Sequence, residues 1–387
     1  MRIFISGLDG YLGWPLALHL TSAGHEVFGC DSFLRRRLVA EMGSQSAIPI
    51  ATMEERIQGA KELTGDSITF REGDLQDYGF VESCLADFKP EAVVQLGQMP
   101  SAPFSMIDRE HCLLTHQNNV IGNLNLLWAM RDVVPNAHLV KLGTMGEYGT
   151  PNVDIPEGFF EVEFRGRKAT LSFPREAGSW YHQTKVHDSN NVNFACRIWG
   201  LRSTDIMQGV VFGTNTEWVG GDERLYTRLD FDEAFGTVIN RFCAQAAISQ
   251  PLTPYGSGHQ KRGFLPLQDV MQCLTLVINN PPSRGEYRVI NQFDQVFGVN
   301  ELAGIVQEQA AAIGLDVKIN SIEDPRIEAQ EHYYKPDTDR LRELGYKPTP
   351  DIGPTVQIAL RRLVENRERI QVSRAAILPR IRWDGGA

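Results

Sequence analysis

The opening of the chain, from Met1 to Asp31, constrains its fold more than any other stretch. Arg2 to Ser6 is a short run with the character of a buried strand, and Gly7, Gly10 and Gly13 follow in G-x-x-G-x-x-G spacing. Trp14 to Ala23 then carries apolar residues at helical spacing, and Gly24 stops it. A second short strand, Glu26 to Cys30, ends in Asp31. Strand, glycine turn, helix, strand and acid is the order of a dinucleotide-binding unit. The turn from Gly7 through Gly10, Tyr11 and Leu12 to Gly13 brings backbone close to a pyrophosphate, whose charge sits at the helix N-terminus. Asp31 is placed to accept hydrogen bonds from the adenosine ribose, which favours NAD over NADP because a carboxylate repels a 2′-phosphate. Arg35, Arg36 and Arg37 follow closely; they cover the adenine or a phosphate, or they form a solvated surface run.

The rest of the chain continues the alternation. Ser67 to Arg71 reads as a strand ending in Gly73-Asp74-Leu75. Asp74 at that edge could bond the adenine amino group, a plain turn being the competing account. Phe80 to Phe88 is a helix, Ala92 to Leu96 a strand, His111 to Val133 a helix, and His138 to Leu142 a strand leading to Thr144. Alternating strands and helices imply an α/β fold, a Rossmann-type doubly wound parallel sheet over residues 1–213. An inserted β-hairpin spans about 159–173, around Arg165-Gly166-Arg167-Lys168. Trp180 to Trp199 is a helix and Ser203 to Val211 a strand. Residues 214–387 form mainly a smaller substrate-binding domain, with some segments returning to the large sheet. Within it, Val317 to Ile322 reads as a strand, and Arg361 to Arg369 is too charged for core and reads as surface helix.

A chain of 387 residues has room for two unequal domains. A net charge of −10 argues against nucleic acid as a bulk partner. The six cysteines lack C-x-x-C spacing and sit mostly in apolar runs, so buried free thiols in a reducing compartment are expected, and no metal site. Met1 leads directly into the first strand and no apolar run approaches membrane-spanning length, so a cytoplasmic enzyme with no membrane partner is expected.

Tyr181-His182-Gln183-Thr184-Lys185 is the second strong feature. Tyr181 and Lys185, four residues apart on a helix, project from one face. A lysine ammonium beside a phenol lowers its pKa and makes Tyr181 a usable general base. Lys185 is also placed to hold the nicotinamide ribose, and Thr144 supplies the hydroxyl that completes a Thr/Tyr/Lys site.

Gly7, Gly10, Gly13, Asp31, Asp74-Leu75, Asn119-Val120-x-Gly122, Thr144, Tyr181, Lys185, Arg262 and Leu344-Gly-Tyr-Lys-Pro348 occur in an order that resembles the extended short-chain dehydrogenase/reductases that modify nucleotide sugars. Ser101 to Asp108, His138 to Asp154, Lys185 to Asp188, Asn240 to Cys243 and Pro325-Arg326 through Glu331 to Tyr334 are most similar to members that take UDP-glucose and sulfite to a sulfonated sugar nucleotide with tightly bound, recycled NAD. The resemblance implies hydride removal from C4 by Tyr181 as base, with Thr144 at the C4 oxygen and His182 or Glu147 moving the proton at C5 or C6. It implies cofactor contacts from Leu75 and Asn119, diphosphate contacts from Arg262 and Arg326, and substrate contacts from Met99, Pro100, Ser101, Gln208 and Tyr334. It also implies a homodimer formed by the helices around His111 to Val133 and Tyr181 to Trp199.

Two departures bear on the reaction. Where the sulfite-using members have Glu-Gln-Arg before Ser-Ala-Pro, this chain has Gln98, Met99 and Pro100, which removes a cation from the neighbourhood of an anionic nucleophile. An epimerase that never uses sulfite is therefore the alternative, and a non-catalytic NAD-binding protein a distant third. The sugar 4,6-dehydratases carry Asp-Glu after the catalytic Thr, where this chain has Met145 and Gly146, which argues against plain dehydration.

Overall fold

The computed structural model describes residues 1–214, 221–293, 295–326 and 333–383; Glu331 and His332 of the similarity above fall outside this range. Five strands, β1 (Arg2–Ser6), β2 (Glu26–Asp31), β3 (Thr69–Glu72), β4 (Ala92–Gln95) and β5 (His138–Thr144), join β8 (Arg202–Gln208) and β11 (Tyr287–Gln292) in one parallel sheet of order β11-β8-β5-β4-β1-β2-β3. Helices cover both faces, so the central strands are apolar on both sides. In β1, Ile3 and Ile5 pack on one face with Trp14, Leu18 and Leu274, while Phe4 packs on the other with Phe28, Leu127 and Met130. The chain builds outward from β1 through β2 to β3, then crosses back to β4 on the other side of β1. That reversal opens a crevice at the carboxyl ends of β1 and β4, where α/β sheets bind ligands.

The hairpin of β6 (Phe159–Phe164) and β7 (Arg167–Ser172) is antiparallel and stands apart from the main sheet. Its turn, Arg165-Gly166, has φ of 51° and 75°, the left-handed pair that matches strand twist. A third sheet of β9 (Val210–Phe212), β10 (Lys261–Pro266) and β12 (Gln295–Gly298) lies beside the helices Val238–Ala247, Val299–Ala311 and Gly353–Glu365. Phe212, Phe242, Phe264, Leu302 and Leu360 are buried between them, together with Ala47 and Ile48 from the first half of the chain. β11, from beyond residue 213, pairs in parallel with β8 in the large sheet.

Two elements differ from expectation, and a third, expected as surface helix, is one with a buried face. The single strand expected over Ser203 to Val211 breaks at Gly209, so β8 and β9 serve different sheets; a Cβ at Gly209 would lie 2.6 Å from the Gly263 carbonyl oxygen. Val317 to Ile322 makes only isolated bridges, Leu252 to Ile319 and Tyr255 to Ile322. The charged run Arg361 to Arg369 belongs to Gly353–Glu365 and Arg367–Val372, whose other face buries Val356, Leu360, Leu363 and Ile370. It is one face of amphipathic helices, and the core lies beneath it.

Candidate active site

The crevice holds a cleft of about 760 Å³ that runs from the glycine turn to the third sheet. At its floor Gly7 adopts φ +81°, and a Cβ there would lie 2.6 Å from the Gly97 amide nitrogen. A Cβ on Gly13 would come within 2.0 Å of the Gly7 carbonyl oxygen. Only glycines permit this turn at the start of the Gly13–Ser22 helix. Gly10, Tyr11, Leu12, Asp74 and Leu75 also line the cleft. Asp74 accepts the Gln76 amide at 2.9 Å, so it closes a turn while its side chain faces the cleft. Asp31 accepts the backbone amides of Asp9 and Phe33 at 2.9 and 2.7 Å. Burial and the Asp9 carboxylate push Asp31 up to about 6.

The three arginines after Asp31 divide. Arg35 lines the cleft, bound to Asp230 at 2.9 Å and stacked 4.0 Å over Phe235. Arg36 turns away from it: its Nε and Nη2 donate to the two Asp9 carboxylate oxygens, at 2.7 and 2.6 Å, and Arg56 joins them at 2.7 Å. Arg37 bonds the Ser32 carbonyl. A cation that the sequence reading missed, Arg228, comes in from the second half of the chain; Asp230 holds it at 2.9 Å, and its buried Nη1 has no partner. A glycine cradle, a cleft-lining carboxylate and an unused buried donor fit a dinucleotide's pyrophosphate and adenosine.

Toward the other end, Thr144 ends β5 beside Gln208 of β8. Its Oγ1 accepts the Gly146 amide at 3.2 Å, which leaves the hydroxyl proton available to donate. Tyr181 and His182 lie in the first turn of the Trp180–Trp199 helix, capped by Ser179. Ser179 Oγ also lies 2.9 Å from His182 Nδ1 and orients the ring. That ring sits over Gly146, where a Cβ would approach Cδ2 and Nε2 to 2.2 Å. The imidazole thus occupies the space that a side chain at 146 would need. Burial, with Arg262, Arg326 and Lys185 nearby, pushes His182 down to about 3, so it is neutral at ordinary pH. Burial raises the Tyr181 phenol above its ordinary value, and the Glu147 and Asp188 carboxylates add to this. Lys185 does not offset it by direct contact, because its Nζ donates to Oε1 of Gln98, a residue of the cleft lining. Burial, with Lys141 nearby, lowers Lys185 to about 8.

Several expected site residues lie off the cleft. Glu147 is sealed in an ion cluster, receiving Arg175 at 3.0 Å, Ser189 at 2.8 Å and the Thr144 amide at 3.3 Å, so it is placed to fix the Thr144 turn rather than to touch substrate. Asn119, on a five-residue π-helical segment, Gln117–Ile121, grips the Met99 backbone and Thr184; its neighbour Asn118 reaches the cleft. Ser101 caps the Ala102–Ser105 helix and donates to the Ala234 carbonyl. Tyr334 packs on Phe293 with its hydroxyl buried and unpartnered. Met99, Pro100, Gln208, Arg262 and Arg326 do line the substrate end, joined by Phe235 and Trp383, which no periodicity marked. Among the described residues, no group of three or more His, Cys, Asp or Glu side chains could hold a metal, and no helix is long and apolar enough to cross a membrane.

Residues 3–291 match the NAD dependent epimerase/dehydratase family. The chain is 46% identical to UDP-sulfoquinovose synthase of Sulfolobus acidocaldarius over 99% of its own length and 98% of that protein's. It is 44% identical to the chloroplastic UDP-sulfoquinovose synthase of Spinacia oleracea, over 99% of this chain and 79% of the other. The fold is shared with UDP-glucuronic acid 4-epimerase from Bacillus cereus, solved with UDP-glucuronic acid and NAD, at a TM-score of 0.71 and 16% identity over 94% of this chain and 99% of that one.

Proposed function

The chain belongs to the NAD-dependent epimerase/dehydratase family, and from that premise we propose that it converts UDP-glucose and sulfite into UDP-sulfoquinovose and water. The observation that carries the reading is His182 seated over Gly146 beside Thr144 and Tyr181, in a chain so similar to synthases of that name. NAD, held by the glycine cradle of Gly7, Gly10 and Gly13, would supply hydride-accepting and hydride-donating chemistry at C4. Tyr181 takes the proton of the 4-hydroxyl, and Thr144 donates to the same oxygen as it becomes a carbonyl. The C4 ketone acidifies C5–H, and neutral His182 takes that proton. The C6–O bond then breaks and the imidazolium protonates the departing oxygen, so water leaves and a 5,6-alkene remains. Sulfite sulfur bonds to C6, and a proton returns to C5. The net change is one C6–O bond exchanged for one C6–S bond.

Arg262 and Arg326 are assigned to the diphosphate, for which guanidinium forks are suited. Their charges repel a proton on His182. An anionic diphosphate between them removes that repulsion and raises His182 toward the range of a working base. Pro100, in place of a cation at the cleft wall, favours a second reading, C4 epimerisation without sulfite. Incubation of the purified protein with UDP-glucose, with and without sulfite, followed by mass spectrometry separates the two. A sulfite-dependent sulfonated product supports the synthase, and UDP-galactose alone supports the epimerase.

The exposed Trp128, Phe194 and Ile198, on the Gly122–Val133 and Trp180–Trp199 helices, are assigned to a homodimer interface. Buried thiols at Cys30, Cys84, Cys196 and Cys243 suit a reducing, cytoplasmic setting.

A further inference from the structure

Behind the cleft wall lies a set of buried charges that the reaction uses only in part. Lys141, Lys185 and Arg175 face Glu147, Asp188 and Asp205, three cations against three carboxylates. Most of these pair directly. Lys141 reaches both Asp205 oxygens at 3.0 and 3.1 Å, Arg175 reaches Glu147 at 3.0 Å, and the Tyr287 hydroxyl donates to Asp205 at 2.6 Å. Between Lys185 and Asp188 stands Gln98. Its carbonyl oxygen accepts from Lys185 Nζ, and its amide donates to Asp188 Oδ2 at 2.6 Å. The other Asp188 oxygen is buried without a partner.

Position 98 thus carries a neutral amide between an ammonium and a carboxylate. A glutamate there would set four carboxylates against three cations, and would lie directly on the ammonium of Lys185. We propose, resting on the hydride-transfer reading above, that Gln98 and Asp188 are positioning residues for Lys185. The neutral amide fixes the ammonium, and Asp188 acts as its counter-charge at one amide's remove. The ammonium therefore keeps a field that favours the Tyr181 phenolate. The groups facing Lys185 are Lys141 from β5, Glu147 from the turn after it, Asp205 from β8, and His182 and Asp188 from its own helix. Arg175 and Tyr287 close the far side through Glu147 and Asp205.

The test uses the full-length protein and two substitutions of opposite sign. Gln98→Glu adds a carboxylate against the ammonium, and Asp188→Asn removes one. Titration of labelled lysine Nζ by NMR, with Lys185 identified by its loss in Lys185→Arg, reads the ammonium directly and needs no substrate. The Lys185 midpoint is expected to rise by about one to three pH units in Gln98→Glu and to fall in Asp188→Asn. Gln98→Met, uncharged and similar in length, serves if the glutamate variant does not fold; it strips the ammonium of its acceptor and lowers the midpoint. In parallel, the acid limb of single-turnover NAD reduction by UDP-glucose moves up in Gln98→Glu and down in Asp188→Asn. Midpoints that stay in place, or move in the same direction in Gln98→Glu and Asp188→Asn, overturn the proposal, since a purely structural role costs folding or activity without opposed shifts. If the unmodified protein does not reduce its NAD with UDP-glucose, the functional reading falls, and the lysine titration still decides the role of Gln98 and Asp188.

Discussion

Gly146→Ala separates the two chemical halves of the proposed reaction. The added Cβ would lie 2.2 Å from Cδ2 and Nε2 of His182, against an ordinary contact of 3.4 Å, so the ring must retreat by about 1.2 Å. Ser179 holds the other side of that ring at 2.9 Å, so the retreat strains that hydrogen bond. A misplacement of about 1 Å costs about a hundredfold in rate. The Tyr181 ring is a packing neighbour of that imidazole, with centroids 4.9 Å apart, whereas proton removal at C5 needs the imidazole itself in place. Single-turnover reduction of bound NAD by UDP-glucose should therefore remain within a few-fold of the unmodified rate. Solvent deuterium incorporation at C5 and formation of the sulfonated product should each fall about a hundredfold. The reduced cofactor should then accumulate, visible by its absorbance. Equal loss of hydride transfer and C5 exchange, or no loss of either, would refute the assignment of His182 to the C5 proton.

Other predictions follow from the same geometry. Tyr181→Phe should lower hydride transfer by about two to four orders of magnitude while the purified protein retains its NAD, measured by release of cofactor on denaturation. Arg262→Ala removes a charge-assisted contact worth about 1.5–3 kcal/mol, so KM for UDP-glucose should rise about 10- to 100-fold with a smaller change in kcat. Burial holds His138 neutral down to about 3, well below the 6.5 of the unfolded chain, so protons bind the unfolded state first and this site destabilises the fold as pH falls below 6.5. The buried carboxylates Asp31 and Asp232, raised to about 6, act in the opposite sense, so the readout is a difference between proteins. His138→Gln should gain stability over the unmodified chain by about 1.4 kcal/mol for each pH unit below the unfolded value, read from denaturant midpoints; a pH-independent difference contradicts this. Ile198→Glu should convert a dimer to monomer in analytical ultracentrifugation, and an unchanged mass would remove that helix face from the interface.

What was legible in the sequence was local. Gly7 and Gly13 mark themselves because the turn excludes any Cβ, and the acid that follows sits at the end of the next strand. Thr144, Tyr181 and His182 reach one cleft because β5 and the Trp180–Trp199 helix deliver their ends to the same sheet edge. Contacts set by distant partners were not legible. Arg36 follows the acid as closely as Arg35 does, yet Asp9 draws its guanidinium away from the cleft through a two-pronged contact. Glu147 follows Thr144 closely, yet Arg175 and Ser189 draw it beneath the cleft. Lys185 bonds Gln98, which lies 87 residues earlier, and not the neighbouring phenol. Arg228 and Trp383 come from irregular segments, where neither period nor spacing announces a function. The Val317 to Ile322 stretch has strand-like alternation but no continuous partner edge, so it stays a set of bridges.

The most direct test of the central claim is mass spectrometry of the sugar nucleotide after the NAD-loaded protein has been incubated with UDP-glucose and isotopically labelled sulfite. The account predicts one labelled sulfur bonded at C6 of the hexose and one hydroxyl lost, with the C4 configuration of glucose retained. A sugar nucleotide that carries no label while UDP-galactose forms would contradict it.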